Sequence, residues 1–128
     1  MMNLLIDTHI FIWLQIELQK LSAERIQMLE DKSNTLFLSL ASIWELQLKI
    51  QNGKFSFPKP LPEIIREQQK INDLQILPIT PGHIYELENL PFHHKDPFDR
   101  LLIAQANVEN FTLVTDDPKF SNYSASLL

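Results

Sequence analysis

The 128-residue chain contains no cysteine, which excludes disulfide bridges and any metal site built on thiolates. Its only two glycines, Gly53 and Gly82, leave no glycine-rich loop to cradle phosphates. No serine has the spacing of a nucleophile elbow. Long apolar runs are missing too: Leu101–Ala104 is typical of the longest, far short of a membrane span. The opening Met1-Met2-Asn3-Leu4-Leu5-Ile6-Asp7 lacks the basic start and the length of a secretory signal, so a cytoplasmic protein with no membrane contact is expected. A basic excess is also absent. Net charge is −5, whereas nucleic-acid binders usually carry a basic face. If two divalent cations cancelled four acidic ligands, however, the loaded protein would sit at about −1. Charge therefore weighs little either way.

What remains is ordinary for a folded domain. Apolar residues make up 45% and charged residues 21%, which excludes a disordered chain. The length suits one domain, expected to span residues 1–128, with a single buried core.

The chain reads as strands alternating with helices. Asn3–Ile6 is an apolar run expected as a buried strand, followed by a helix over Thr8–Gln15. Ser22 is placed to cap a second helix running to about Asp31. Thr35–Leu38 is a second strand. Ser39–Gln51 has helical spacing, and Asn52-Gly53 stops it. Pro58, Pro60 and Pro62 mark an extended turn before a helix at about Glu63–Asn72. A third strand over Gln75–Ile79 precedes Thr80-Pro81, a cap and first-turn proline in order. Pro91–Lys95 is a loop, and Asp96-Pro97 opens a helix to about Glu109. Thr112–Thr115 is a β-branched strand, Asp117-Pro118 starts a short helix, and Ser126–Leu128 is a candidate edge strand. This alternation predicts an α/β fold, a central parallel sheet flanked by helices.

In such sheets ligands bind outside the carboxyl ends of the strands. Asp7 follows the first strand, and Asp116 and Asp117 follow the strand ending at Thr115. Glu45 and Asp99 lie early in helices that can face the same edge. Four acids on one rim repel unless a cation lies between them, and oxygen-only ligands suit magnesium or manganese. Two such ions can stabilise the attacking water and the leaving oxygen of a phosphodiester. Each acid also has a plainer role. Asp7, Asp96 and Asp117 sit where helix caps belong. Ser42-Ile43-Trp44-Glu45 fits a capping box, and Glu45 can instead pair with Lys49 one turn on. Asp99 suits a helix amino end. His93 and His94 read as solvated loop residues, and Trp13 and Trp44 as core.

Four segments together resemble the PIN-domain ribonucleases. They are Leu5-Ile6-Asp7-Thr8-His9, Ser39-Leu40-Ala41-Ser42-Ile43-Trp44-Glu45, Lys95–Ala106 with its Asp96-Pro97-Phe98-Asp99-Arg100 start, and Leu113-Val114-Thr115-Asp116-Asp117-Pro118-Lys119-Phe120. The resemblance is closest to VapC-type toxins of bacterial toxin–antitoxin pairs and spans nearly the whole chain. It implies a magnesium-dependent (or manganese-dependent) endoribonuclease that cuts RNA, an antitoxin partner and a homodimer. Position by position it assigns Asp7, Glu45, Asp99 and Asp117 as catalytic metal ligands. It implies supporting hydroxyls at Thr8 and Thr115 and a phosphate contact at Arg100. The family pattern has Thr, any residue, then Asp after the last main strand; here the middle residue is itself Asp116.

Two rival readings are weighed. A phospho-accepting signalling domain has similar length and an acidic rim, but would carry paired acids after the first strand and a lysine after the last. A catalytically silent PIN-scaffold interaction module would have no need of all four acids. Three expectations follow for the structure. The carboxylates of Asp7 and Asp99 should lie within about 6 Å, a distance at which they share an ion. Asp117 should be nearer to them than Asp116. Ile10, Phe11, Leu14 and Leu21 read first as plain core, and otherwise as candidates for an antitoxin or dimer surface.

Overall fold

The computed structural model describes residues 1–91, 96–118 and 120. The elements expected at His93, His94 and Ser126–Leu128 lie outside these. Among the described residues four strands alternate with six helices: β1 (Asn3–Ile6), α1 (Thr8–Ile16), α2 (Ala23–Glu30), β2 (Thr35–Ser39), α3 (Leu40–Gln51), α4 (Leu61–Ile71), β3 (Gln75–Leu77), α5 (Pro81–Glu86), α6 (Pro97–Glu109) and β4 (Thr112–Val114). Every pairing is parallel and the strand order is β3-β2-β1-β4. The α/β expectation holds.

The central strand explains the apolar run. Leu4, Leu5 and Ile6 are all fully buried, because helices cover both faces of a parallel sheet and leave neither for water. Alternation sends them apart. Leu4 and Ile6 join Ile10, Phe11, Leu38 and Leu46 in one layer, while Leu5 packs with Leu102, Ile103, Ala106 and Leu113 in the other. Register then aligns the strand ends. Ile6 stands opposite both Leu38 and Val114, so Asp7, Ser39 and Thr115 emerge at one edge. The Asp7 N–H donates to the Val114 carbonyl at 3.0 Å, closing the ladder there.

Helix starts follow local chemistry. The Ser22 hydroxyl accepts from Arg25 N–H at 3.1 Å. Thr80 and His83 form a reciprocal capping box with Pro81 in the first turn. Two boundaries differ from the periodicity. α3 is capped by Ser39, whose hydroxyl accepts from Ala41 N–H, so Ser42 sits inside the helix and does not cap it. β3 stops at Leu77, since Pro78 has no N–H to continue a ladder. At the far end, where a short helix was expected, Pro118 and Phe120 lie in a 3-10 turn of helix, and Phe120 N–H donates to the Asp117 carbonyl.

Asp96 caps α6, accepting from Phe98 N–H at 2.9 Å and Asp99 N–H at 3.2 Å. Asp96→Ala should cost about 1 kcal/mol in urea unfolding, the usual loss for such a cap, while Asp96→Asn should stay near wild type. Equal stability of all three proteins would show that the cap contributes nothing.

Candidate active site

Asp7 is the pivot of the carboxyl edge. It is 3% exposed and does two jobs. One carboxylate oxygen caps α1 by accepting from Ile10 N–H at 2.8 Å; the other accepts from the Thr115 hydroxyl at 2.5 Å. Burial pushes its pKa above the ordinary carboxylate value, and those two hydrogen bonds pull partly the other way. Capping and membership of the acidic edge thus coexist in one side chain.

Glu45 reaches the edge from α3 and is 6% exposed. The Thr8 hydroxyl donates to its Oε1 at 2.7 Å and lies 3.0 Å from the Ser42 hydroxyl. Lys49 approaches its Oε2 at 3.1 Å. The two oxygens therefore face different partners, one a buried hydroxyl and one a half-buried cation. Ser42 is itself buried and was missed in the sequence, although its place three residues before Glu45 puts both on one helix face.

Asp99 stands in the first turn of α6, half-buried. Its pKa is pushed up to about 7, first by burial and then by the negative charges of Asp96, Glu45, Asp7 and Asp117. Side chains from β1, α3, α6 and the end of β4 thus act on one carboxyl group. The charge of Asp116 acts on Asp7, whose pKa it helps to raise.

The two acids after β4 part company. Asp116 turns to Arg25 on α2, with 2.7 Å between Oδ1 and Nη1. The Asp117 N–H donates to the Thr115 hydroxyl at 3.0 Å, which places Asp117 beside the Thr115–Asp7 contact. Asp7, His9, Trp13, Asp116, Asp117 and Pro118 line a cleft of about 250 Å³ here. A hollow of about 290 Å³ lined by Asp31, Lys32, Asn34 and Asn72 lies at the amino ends of β2 and β3, away from the ligand-binding edge.

Other expected residues fall elsewhere. Arg100 is buried and donates to the carbonyls of Pro91 and Leu87 at 3.0 and 3.2 Å, so it ties down the chain before α6 and is not presented to a surface phosphate. Trp44 is 60% exposed and meets Phe98 edge-on at 5.1 Å, so it is no core residue; Trp13 is half-buried beside His9 and Lys20. Ile10, Phe11 and Leu21 are buried, and Leu14 packs partly against the same core. Ile10, Phe11 and Leu21 thus follow the core reading, since α1 fills the sheet layer, while Leu14 stays partly exposed. A second buried polar group escaped notice. His83 on α5 is fully buried between Glu109 at 2.7 Å and Gln105 at 3.3 Å, joining α5 to α6.

The donor set suits a hard divalent cation: oxygens only, negative, and raised in pKa where they crowd. Among the described residues no three acidic or imidazole side chains stand close enough to form a ready coordination shell. Magnesium does not require one, since it usually keeps several waters and binds through one or two carboxylates. Asp7 and Asp99, with Glu45 and Asp117 around them, fit that mode.

The chain is a parallel α/β domain with acids gathered at its carboxyl edge. Within it, the PIN domain model matches residues 4–125, and the chain belongs to the PIN-domain family. Solved structures agree on the fold. VapBC2 from Rickettsia felis, bound to a DNA fragment from its promoter, is 21% identical, with a TM-score of 0.77 over 99% of this chain and 98% of that one. DNA-bound VapBC from Salmonella typhimurium is 16% identical, TM-score 0.69, over 100% and 98%. A toxin–antitoxin complex from Klebsiella pneumoniae is 20% identical, TM-score 0.62, over 97% and 94%. No curated protein matches significantly.

The raised Asp99 has a consequence for stability. Between the ordinary carboxylate pKa and about 7, the folded chain holds a proton that the unfolded chain has released. Without metal, stability should therefore fall as pH rises through that window. Asp99→Asn should flatten the fall and raise the thermal midpoint at pH 8 by roughly 3–5 °C, allowing for partial solvent screening. Differential scanning fluorimetry without metal checks this. A lower midpoint at pH 8 would mark Asp99 as a structural residue.

Proposed function

We propose that this protein is a magnesium-dependent endoribonuclease, the toxin of a toxin–antitoxin pair. The single observation that carries the reading is the electrostatic convergence on Asp99. Carboxylates from β1, α3 and the end of β4 act on one group at the edge where this fold binds ligands. Such crowding opposes folding and marks functional sites. The structural relatives described as VapBC and toxin–antitoxin complexes support the antitoxin partner, and the family supports the nuclease.

In this reading Asp7 and Asp99 are direct metal ligands, Glu45 a ligand or base, and Asp117 a supporting ligand or water positioner. A bound divalent cation supplies charge neutralisation at the phosphate and a more acidic water. The chain's own groups hold the acids in place. The Thr115 hydroxyl holds Asp7, leaving Asp7 little rotational freedom. The Thr8 hydroxyl and Lys49 orient the Glu45 carboxylate, one on each oxygen. No nucleophilic side chain is needed, because water attacks the phosphodiester in line. RNA is the substrate and the cytoplasm the compartment. The rival signalling domain is disfavoured by the sequence after β1, which reads Asp7-Thr8 where such a domain would carry paired acids.

Purified chain, freed of any antitoxin, should cleave RNA with magnesium or manganese and stop when chelator is added. Asp7→Asn should lower the rate at least about a hundredfold, the scale of losing one preorganised electrostatic contact. Gel-based cleavage assays with folded variants check this. Chelator-resistant cleavage by Asp7→Asn would remove the mechanism.

A further inference from the structure

We infer that Arg25 is a positioning residue that selects Asp117, and not Asp116, as the acid delivered by β4 to the carboxylate cluster. The inference rests on the nuclease reading only in taking that cluster to be a cation site. Its own basis is geometric. β4 ends at Val114, and the next three residues are Thr115, Asp116 and Asp117. Both acids line one cleft with Asp7, so something must decide between them. Their chemistry is the same, and alternation alone does not say which.

Arg25 breaks the tie. It lies in the first turn of α2, where the Ser22 cap fixes its backbone by accepting its N–H at 3.1 Å. Its side chain is 18% exposed, and a single nitrogen, Nη1, donates to the Thr115 carbonyl at 3.2 Å and to Asp116 Oδ1 at 2.7 Å. One guanidinium thus grips the backbone and the side chain of consecutive residues, a grip that fixes rotation as well as position. With the Thr115 carbonyl held towards α2, the Thr115 hydroxyl is free to donate to Asp7, and it accepts the Asp117 N–H. The chain of contacts runs Arg25, Thr115, then Asp7 and Asp117. The Arg25 charge also neutralises an acid that otherwise adds to the repulsion at Asp7.

The test is manganese binding to the full chain, followed by the electron paramagnetic resonance of the free ion, with cleavage measured separately. Arg25→Gln should weaken binding about tenfold, the lower end of the effect expected when a ligand's supporting partner is lost. Arg25→Lys, which keeps the charge, should recover most of it. Asp116→Asn should stay within about twofold of wild type, while Asp117→Asn should lose at least about tenfold. A folded Arg25→Gln with wild-type manganese affinity would overturn the inference. So would Asp116→Asn weakening binding as much as Asp117→Asn, and that comparison decides the matter even if Arg25→Gln does not fold. If wild type binds no manganese, the nuclease reading falls and takes this inference with it. If wild type and Asp117→Asn behave as expected but Arg25→Gln is silent, only the role of Arg25 is lost.

Discussion

Burying a carboxylate is expensive, and burying one near several others is more so. The effective penalty for an ion taken out of water runs to several kcal/mol, and each neighbouring negative charge adds to it. The structure meets this constraint at Asp7 with two donors, a backbone N–H of the helix that Asp7 itself starts and a hydroxyl from the strand beside it. The second requires β1 and β4 to be in register, because Thr115 reaches Asp7 only when Ile6 stands opposite Val114. The placement of one acid thus depends on the pairing of the sheet.

Hydroxyls are the common device at this edge. Thr115 serves Asp7 and accepts from Asp117; Thr8 serves Glu45 beside Ser42. A neutral donor orients a carboxylate without cancelling its charge, whereas a cation would lower the negative potential that attracts a metal. Two cations near the edge are set to the side. Lys49 occupies only one oxygen of Glu45, and Arg25 is engaged by Asp116. Asp99, crowded by its acidic neighbours, has its pKa pushed up to about 7. The edge is neutralised around its margin and left negative where four elements meet.

The rest of the molecule braces that arrangement. Arg100 ties the carbonyls of Leu87 and Pro91 to the start of α6, one residue past Asp99. His83, Gln105 and Glu109 lock α5 onto α6 with polar contacts in a place where apolar packing would have served. Directional bonds fix rotation as well as distance, and rotation of α6 about its axis would swing Asp99 off the edge.

The sequence alone determined the parts whose causes are local. The apolar run of β1, the caps at Ser22 and Thr80, and the Asp96-Pro97 start of α6 follow from periodicity and from hydrogen bonds spanning two or three residues. The four motifs that point to the family were legible for the same reason, each being a short contiguous pattern. Where the acids go was legible only to the level of an edge. Tertiary structure alone decided that Thr8 serves Glu45, 37 residues away, that Arg25 holds Thr115, 90 residues away, and that Thr115 serves Asp7, 108 residues away. It also left Trp44 in water, although its apolar helical setting suggested core. Periodicity tells which side of an element is apolar. It does not tell which neighbour, if any, covers that side, because that depends on how the sheet orders its strands.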